Sequence, residues 1–415
     1  MQEHTDTETT HATTEAEQLR ALVAEMLRIA PVRRPLSEDE RRVHAFMAQE
    51  LQAHGLRTWT EAFRFNDHLY ANLLLHFGLG TVATAFVRRS PKLAGMLYGL
   101  VATSYLMDNT RRGYLLRRLF RWKEGQNQLA IRPAAGTPRR RVVLVAHADS
   151  AYTGVMFRPE VIAHFAGGGL PDALKFLERG TGLAVFTQAG LAGLALLRAM
   201  SGRRLRGLIP IELLLTAPAA IAAALNLDVV LRNTLVPGAN DNLSGTAALA
   251  ILAERLDDLP DDVEVLYVIA GAEETSLGGS DALAQDRQDT WDRDRTLVVG
   301  VDTLGGGDLR YVVTEGEVLP AHVPESLQRL CREVAAADPK FADAEPFAPP
   351  VGATDAASFL VRGFQAVCVT RVDPTIGAPR HYHLPSDNLE NLEPEECVRS
   401  VDFIEALVRR WLATP

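Results

Sequence analysis

The sequence predicts an α/β fold in which a mainly parallel, mixed sheet is covered on both faces by helices. The first observation is a set of fully apolar runs, typical of strands buried in a parallel sheet. The second is that helical segments such as 244–259 and 323–336 alternate with these runs. The 415-residue chain is 23% charged and 47% apolar, as expected of a globular protein. The apolar runs are R-V-V-L-V-A from 141, V-E-V-L-Y-V-I-A from 263, T-L-V-V-G-V from 296 and Q-A-V-C-V-T from 365.

Two helices and a strand are predicted before the first apolar run. Residues 16–54 repeat apolar side chains at three- and four-residue steps, the period of a helix packed on a core. Ser37 followed by Glu40 predicts a capping box at the start of the second helix. Residues 56–66 alternate like a strand, and their expected partner is 127–133.

Two apolar stretches interrupt this pattern, and each is a pair of helices around a basic loop. Both are rich in Gly and Ala, which allow helices to pack closely in a bilayer or in a soluble bundle. A spanning helix needs about 20 apolar residues, and these runs are close to that length. The sequence therefore leaves two interpretations open: association with a membrane through residues 69–107 and 182–231, or a soluble helical cap.

These patterns divide the chain into one α/β domain and two insertions. The N-terminal residues are acidic and Thr-rich, without the basic start and apolar run of a secretory signal. We therefore expect a disordered tail and a cytoplasmic or membrane-associated protein. The predicted boundaries are 1–15 for the tail, 16–68, 123–151 and 233–415 for the α/β domain, and 69–122 and 152–232 for the two apolar helical hairpin insertions.

Five side chains of metal-binding type follow one another in the order His, Asp, Glu, Asp, His. Four of them lie at or just after an apolar strand, where an α/β sheet presents its functional residues. Each motif alone is weak, because an isolated residue of this kind is most often solvated or capping, but the complete set indicates a metal site. The five are His147 in V-A-H-A-D-S, Asp241 in P-G-A-N-D-N-L-S-G, Glu274 in G-A-E-E-T, Asp302 in V-V-G-V-D-T and His383 in H-Y-H-L-P-S-D-N.

The set is large enough for two metal ions. Two neighbouring divalent ions need about three protein ligands each, one of them shared, with room for a water. Imidazole and carboxylate ligands without thiolate suit zinc first, with manganese or cobalt as alternatives. We expect His147 and Asp302 to bind one ion, Glu274 and His383 the other, and Asp241 to bridge them.

Two further carboxylates have predicted roles beside these ligands. Glu273 is next to a ligand in the chain, so it can enter the site without binding metal, take a proton from the attacking water and return it to the leaving amine. Asp149 lies two residues after His147, so both side chains point the same way from a strand end. We expect Asp149 to accept the spare imidazole N–H and fix the tautomer.

Other functional classes fit less well. A net charge of −9 disfavours nucleic acid as a partner, because phosphate binding needs a basic face. Ser150 and Ser244 lack the G-x-S-x-G elbow of a serine hydrolase. The three cysteines form no C-x-x-C pair, and we expect buried, reduced thiols.

The motifs together resemble those of the co-catalytic zinc exopeptidases of peptidase family M28. The matching blocks occur in family order over 125–150 and 233–412. The resemblance implies a zinc exopeptidase (phosphorylase/hydrolase-like) fold, two Zn²⁺ ions, the ligands and base named above, and a peptide or aminoacyl substrate. It also implies a cis peptide after Asp241. A-T-D-A-A-S-F resembles a segment near the family's substrate pocket, which makes Asp355 a candidate pocket residue.

Three functions follow from these expectations. The leading one is a dizinc aminopeptidase that removes the N-terminal residue of a peptide. A carboxypeptidase, an amidohydrolase or a glutaminyl-cyclase-like enzyme on the same scaffold stays open, because the sequence does not set the direction of substrate recognition. An inactive, membrane-associated binding module is the third, and the complete ligand set with Glu273 argues against it. The insertions depart from the family pattern, and we expect the second near the mouth of the site.

Overall fold

The computed structural model describes residues 2–166, 180–201, 207–316, 318–350 and 352–414. The strands in these ranges are β1 Arg57–Phe65, β2 Lys123–Arg132, β3 Arg140–His147, β4 Val263–Ala270, β5 Thr296–Val301, β6 Asp308–Val312, β7 Thr314–Glu315, β8 Ala321–His322, β9 Glu345–Phe347 and β10 Gln365–Val372. The helices are α1 Gln2–Ile29, α2 Glu38–Ala53, α3 Leu69–Ala83, α4 Pro91–Asn109, α5 Pro159–Ala166, α6 Gly180–Ser201, α7 Ile209–Leu215, α8 Ala217–Arg232, α9 Gly245–Arg255, α10 Gly278–Arg287, α11 Glu325–Ala337, α12 Asp355–Leu360 and α13 Pro394–Leu412.

Eight of these strands form one mixed sheet in the order β1-β2-β4-β3-β5-β10-β6-β9. The four strands with apolar sequences, β4, β3, β5 and β10, lie side by side and run parallel. Strands β1, β2 and β6 join antiparallel. Helices α1, α2, α9 and α13 pack together in one group and α10 with α12 in another. The predicted α/β class and the pairing of 56–66 with 127–133 are confirmed.

Helix α1 extends further toward the N terminus than expected. It begins at Gln2. The side chains of Leu19, Val23 and Met26 on this helix are fully buried in the core. A helix nucleated there is extended at little cost, because each further residue adds one hydrogen bond.

The two insertions pack against each other as one helical bundle. Helix α4 lies against α6 and α3 against α8, while α3 also contacts α4 and α6 contacts α8. Glycine allows this close approach: a Cβ atom at Gly95 would lie 3.0 Å from Leu196 Cγ and 3.3 Å from the Ala192 carbonyl oxygen. The two hairpins predicted as separate insertions therefore form a single unit.

Buried polar contacts join α6, α7 and the α3–α4 loop at one end of the bundle. Arg198 on α6 forms an ion pair with Glu212 on α7, with Nε 2.7 Å from the carboxylate, and it also donates to the carbonyl oxygen of Val87. This contact sets the C-terminal end of α6 beside the α3–α4 loop. Arg88 and Arg89 of that loop are exposed, so this end of the bundle is basic.

Arg117 joins the other end of the bundle to the α/β domain. Its buried guanidinium lies 2.8 Å from the Asp108 carboxylate at the end of α4. Its Nη1 donates to Asn66 Oδ1 at 3.0 Å and to the Thr275 carbonyl oxygen at 2.9 Å. One side chain therefore connects the first insertion, the end of β1 and the turn after β4.

We predict that Arg117→Met destabilises the protein by about 3–5 kcal/mol, because it leaves the Asp108 carboxylate buried without its cation. The midpoint of chemical unfolding measures the effect. The matched control is Arg118→Met, since the neighbouring Arg118 is exposed and its replacement should change stability little. Equal unfolding midpoints for the two variants would contradict a structural role for the buried pair.

Candidate metal centre

The ends of three neighbouring parallel strands bring the candidate residues to one edge of the sheet. His147 is the last residue of β3, Asp302 follows β5 directly, and the Glu273-Glu274 turn follows β4. Because these strands are parallel neighbours, their carboxyl ends meet at the same edge. Asp241 and His383 come from loops that precede α9 and α13. The Asp241–Asn242 peptide is cis, as the family resemblance implied.

The five side chains form two triplets that share Asp241. The potential ligand atoms of His147, Asp241 and Asp302 lie within 4.8 Å of one another, as do those of Asp241, Glu274 and His383. Asp241 Oδ1 lies 3.4 Å from His147 Nε2, and Asp241 Oδ2 lies 3.4 Å from His383 Nε2. The shared carboxylate thus turns one oxygen toward each histidine.

The donor set fits two divalent cations. Glu274 Oε1 and Asp302 Oδ1 are buried without a hydrogen-bond partner among the described residues, as a ligand atom that lacks its ion would be. A third overlapping triplet joins His147 and Glu274 with Glu273, whose Oε2 lies 3.8 Å from His147 Nε2. Glu273 therefore borders the same space as the ligands.

The cluster carries more negative charge than its own residues neutralise. Burial, together with the negative charge of Asp241, raises the pKa of Glu274 well above its usual value. Burial raises the pKa of Asp302 to about 8, although His147 opposes the shift. Burial would lower the pKa of His147, but the charge of Glu273 and contacts with Asp149 and Asp241 raise it well above normal. Bound cations would supply the missing positive charge.

Asp149 connects two of the strand ends. Its Oδ1 accepts the backbone N–H of Glu273 at 3.1 Å, and its Oδ2 accepts that of Glu274 at 3.0 Å. Its Oδ1 also lies 3.5 Å from Nδ1 of His147, on the side where an orienting carboxylate was expected. The carboxylate is fully buried, so it sets the position of the whole turn as well as facing the imidazole.

Asp387 is a site residue that sequence reasoning missed. Its carboxylate accepts the backbone N–H of Asn240 at 2.7 Å and that of Asp241 at 3.0 Å, and so holds the shared carboxylate in place. Burial raises the pKa of Asp387 to about 7. The only available signal was its place in the H-L-P-S-D-N motif, four residues after His383.

Several site residues have left-handed backbone conformations, which are costly for residues other than glycine. The φ angles are +56° at Ala272, +50° at Thr303 and +54° at His383. Glu40 Oε1 accepts the Ala272 N–H at 2.7 Å, while Glu40 Oε2 accepts the N–H of Leu36 at 2.8 Å. The predicted capping box is thus half present: Ser37 Oγ caps α2 by accepting the Glu40 N–H at 3.4 Å, but the Glu40 carboxylate supports the turn that carries Glu273 and Glu274.

Asp355 lies behind the cluster rather than on the cavity wall. It begins α12 with its carboxylate buried, and burial raises its pKa to about 6. Its negative charge contributes to the raised pKa of Glu273. The preceding Thr354 does line the cavity. The structure therefore places Asp355 where it can influence Glu273 through its charge.

A cavity of about 500 Å³ opens over the cluster. Its polar end contains the five potential ligands and Glu273. Both insertions and further residues of the α/β domain supply the rest of the wall. In the second insertion the Phe157 ring lies 4.4 Å from the ring of His383. Insertion residues on the wall include Leu69, Tyr70, Leu73, Phe157, Leu183, Ile221 and Leu225.

Comparison with known proteins finds a family that this chain resembles over part of its length. The model of peptidase family M28 matches residues 219–408, a span that contains four of the five potential ligands and Glu273. The chain resembles this family over that span. The aminopeptidase YwaD of Bacillus subtilis (strain 168) is 26% identical over 178 residues, which are 41% of this chain and 37% of that protein. The alkaline phosphatase isozyme conversion protein of Escherichia coli (strain K12) is 29% identical over 110 residues, 26% of this chain and 30% of that one.

Solved structures share the fold over nearly the whole chain, whereas the sequence matches span about a third of the two curated relatives. An aminopeptidase from Aneurinibacillus sp. strain AM-1 has a TM-score of 0.52 at 16% identity, covering 95% of this chain and 93% of its own. A glutaminyl cyclase from an Acidobacteriales bacterium has a TM-score of 0.54 at 14% identity, covering 96% of each chain. At these identities the likeness establishes the architecture of the chain alone.

Proposed function

We propose that this protein is a dizinc aminopeptidase that hydrolyses the N-terminal peptide bond of its substrate. The observation that carries the proposal is the pair of triplets that share Asp241, with Glu273 beside them on the cavity wall. The names of the curated relative YwaD and of the Aneurinibacillus enzyme support aminopeptidase activity. Glutaminyl-cyclase, carboxypeptidase and amidohydrolase chemistry are the alternatives on the same scaffold.

In this proposal each triplet holds one zinc ion. His147 and Asp302 would hold the first ion, Glu274 and His383 would hold the second, and Asp241, which both triplets contain, would be shared between them. Manganese or cobalt would suit the same nitrogen and oxygen donors. When bound, the ions lower the pKa of a water molecule and polarise the scissile carbonyl.

Glu273 is the proposed general base. Its side chain is only 11% exposed and borders the cavity, so it can reach a water molecule and the leaving group in turn. As the water oxygen bonds to the carbonyl carbon, the carboxylate takes one proton; as the C–N bond breaks, it returns this proton to the leaving amine. Asp149 positions the base by accepting the backbone N–H groups of Glu273 and Glu274, and burial strengthens these two hydrogen bonds.

We predict that Glu273→Gln keeps the bound metal but lowers kcat by about 10²–10⁴-fold, because the amide cannot take up a proton. Hydrolysis of free and N-blocked aminoacyl and peptide substrates by the zinc-loaded protein gives the rate and also shows the direction of recognition. Glu254→Gln, at an exposed position on α9, is the control. Full activity of Glu273→Gln would remove this residue as the base.

We predict that the purified protein binds about two equivalents of zinc, and that His383→Ala retains about one, because one triplet loses its imidazole. Elemental analysis after dialysis measures the content. His381→Ala is the matched control, since His381 Nδ1 contacts Ser386 Oγ at 2.9 Å, outside both triplets. Less than one equivalent in the unaltered protein would contradict the dizinc proposal.

We also propose that the bundle associates with a membrane. In the described part of the chain, three segments are long and apolar enough to cross one by length and composition: Leu69–Phe86, Gly182–Ser201 and Ile209–Arg232. Only 22% of the last segment is buried inside the protein, so most of it faces outward. Helix α6, with 22 residues, is about 33 Å long, which matches the apolar core of a bilayer. The basic loop at the end of the bundle would reach the opposite lipid head groups.

We predict that the protein stays with membranes after an alkaline wash, whereas the double variant Met200→Asp, Leu214→Asp is released in part. Both side chains are highly exposed on the bundle, and a charge there disfavours contact with lipid. Leu319→Asp is the control, because Leu319 is exposed on the α/β domain. Recovery of the unaltered protein in the wash would favour a soluble cap.

A further inference from the structure

The cavity continues well beyond the potential metal ligands. Helix α8 lines it from Pro218 to Asn226, a distance of about 12 Å along the helix axis. Leu69 and Leu73 of α3 and Leu183 of α6 complete this part of the wall. The catalytic cluster therefore lies at one end of a space that extends along the helical bundle.

Apart from Asn226 of α8, this part of the wall is apolar. The charged insertion residues of the cavity, Asp108, Arg111 and Arg117, come from the end of α4 and the segment after it, near the α/β domain. The lining residues of α6 and α8 carry no charge. A peptide backbone in this space would leave most of its N–H and C=O groups without partners, whereas a hydrocarbon chain has none to satisfy.

The outer surface of the bundle meets the cavity at Ile221. This side chain lines the cavity, yet it is 58% exposed on α8. The segment that contains it is the most outward-facing of the three membrane-span candidates. A molecule held in an apolar phase around the bundle would therefore reach the cavity from the side, at Ile221, without crossing water.

We propose that the substrate of this enzyme is an amphiphile: an aminoacyl or peptidyl amide that carries a long hydrocarbon chain. The amide lies at the metal cluster, and the chain lies between α3 and α8. A cavity of about 500 Å³ is within the range of roughly 300–1,000 Å³ for ligand sites. The inference rests on the proposed hydrolytic function and adds the substrate class to it.

The first test uses zinc-loaded, full-length protein in detergent with leucyl n-alkylamides from ethyl to dodecyl, each below its micelle concentration. We expect kcat/KM to rise about three- to fourfold per methylene until the cavity is filled, because each methylene leaves water. Equal kcat/KM values across the series would overturn the substrate class and leave the aminopeptidase function standing.

A binding measurement separates this inference from the proposed function. Titration of the Glu273→Gln protein with leucyl dodecylamide and leucyl ethylamide requires no turnover. Tighter binding of the dodecyl compound supports the chain site even if no compound is hydrolysed, a result that would reject the proposed function alone. Equal affinities would overturn the chain site.

A matched pair of variants locates the chain. Leu225 is half-buried and lines the cavity, whereas Leu227, two residues on, is exposed and lies outside it. Leu225→Trp should lower the dodecyl-to-ethyl ratio of kcat/KM at least tenfold, while Leu227→Trp should keep it. Ala222→Leu is a smaller change in the same wall and should lower the ratio if Leu225→Trp fails to fold. An unchanged ratio in every folded cavity variant would overturn the placement.

Discussion

The candidate site depends on buried carboxylates that accept backbone N–H groups. Asp149 accepts both amides of the Glu273-Glu274 turn, and Asp387 accepts those of Asp241 and the residue before it. Each of these acceptors is fully or almost fully buried, so its hydrogen bonds are not weakened by water. Potential ligands from distant parts of the chain are therefore held by a second set of acids.

This arrangement concentrates negative charge. Burial lowers the pKa of Arg33 to about 10, and the charges of Asp387, Asp149, Asp241 and Glu40 oppose that shift. The Arg33 guanidinium donates to the carbonyl oxygens of Ala148 and Pro237 and carries one positive charge. One buried cation does not balance several buried carboxylates. Divalent ions in the two triplets would remove this imbalance, which links metal binding to the stability of the strand ends.

The sequence predicts those parts of the molecule whose signal is local. The parallel strands are recognisable because both faces are buried, and His147 and Asp302 because they lie at strand ends. Asp387 and Arg33 left no comparable signal, since their partners are backbone groups far away in the chain.

The packing of the two insertions against each other could not be predicted from the sequence, for a related reason. Their helices are apolar on nearly all sides. The sequence therefore shows no amphipathic pattern that would tell which face packs on a neighbouring helix and which faces solvent or lipid. Gly95 permits close approach, yet the partner helix α6 follows some 80 residues later in the chain. Local pattern therefore predicts two apolar hairpins but not one bundle.

The two insertions contact one of the two triplets more directly than the other. Through Arg117 the first insertion holds the carbonyl of Thr275, the residue after Glu274. Through Phe157 the second insertion contacts the ring of His383. Glu274 and His383 belong to the same triplet. A shift of either insertion would therefore act first on this triplet, while the His147 end is held by strand pairing within the sheet. The bundle is thus coupled most directly to the triplet that contains Glu274 and His383.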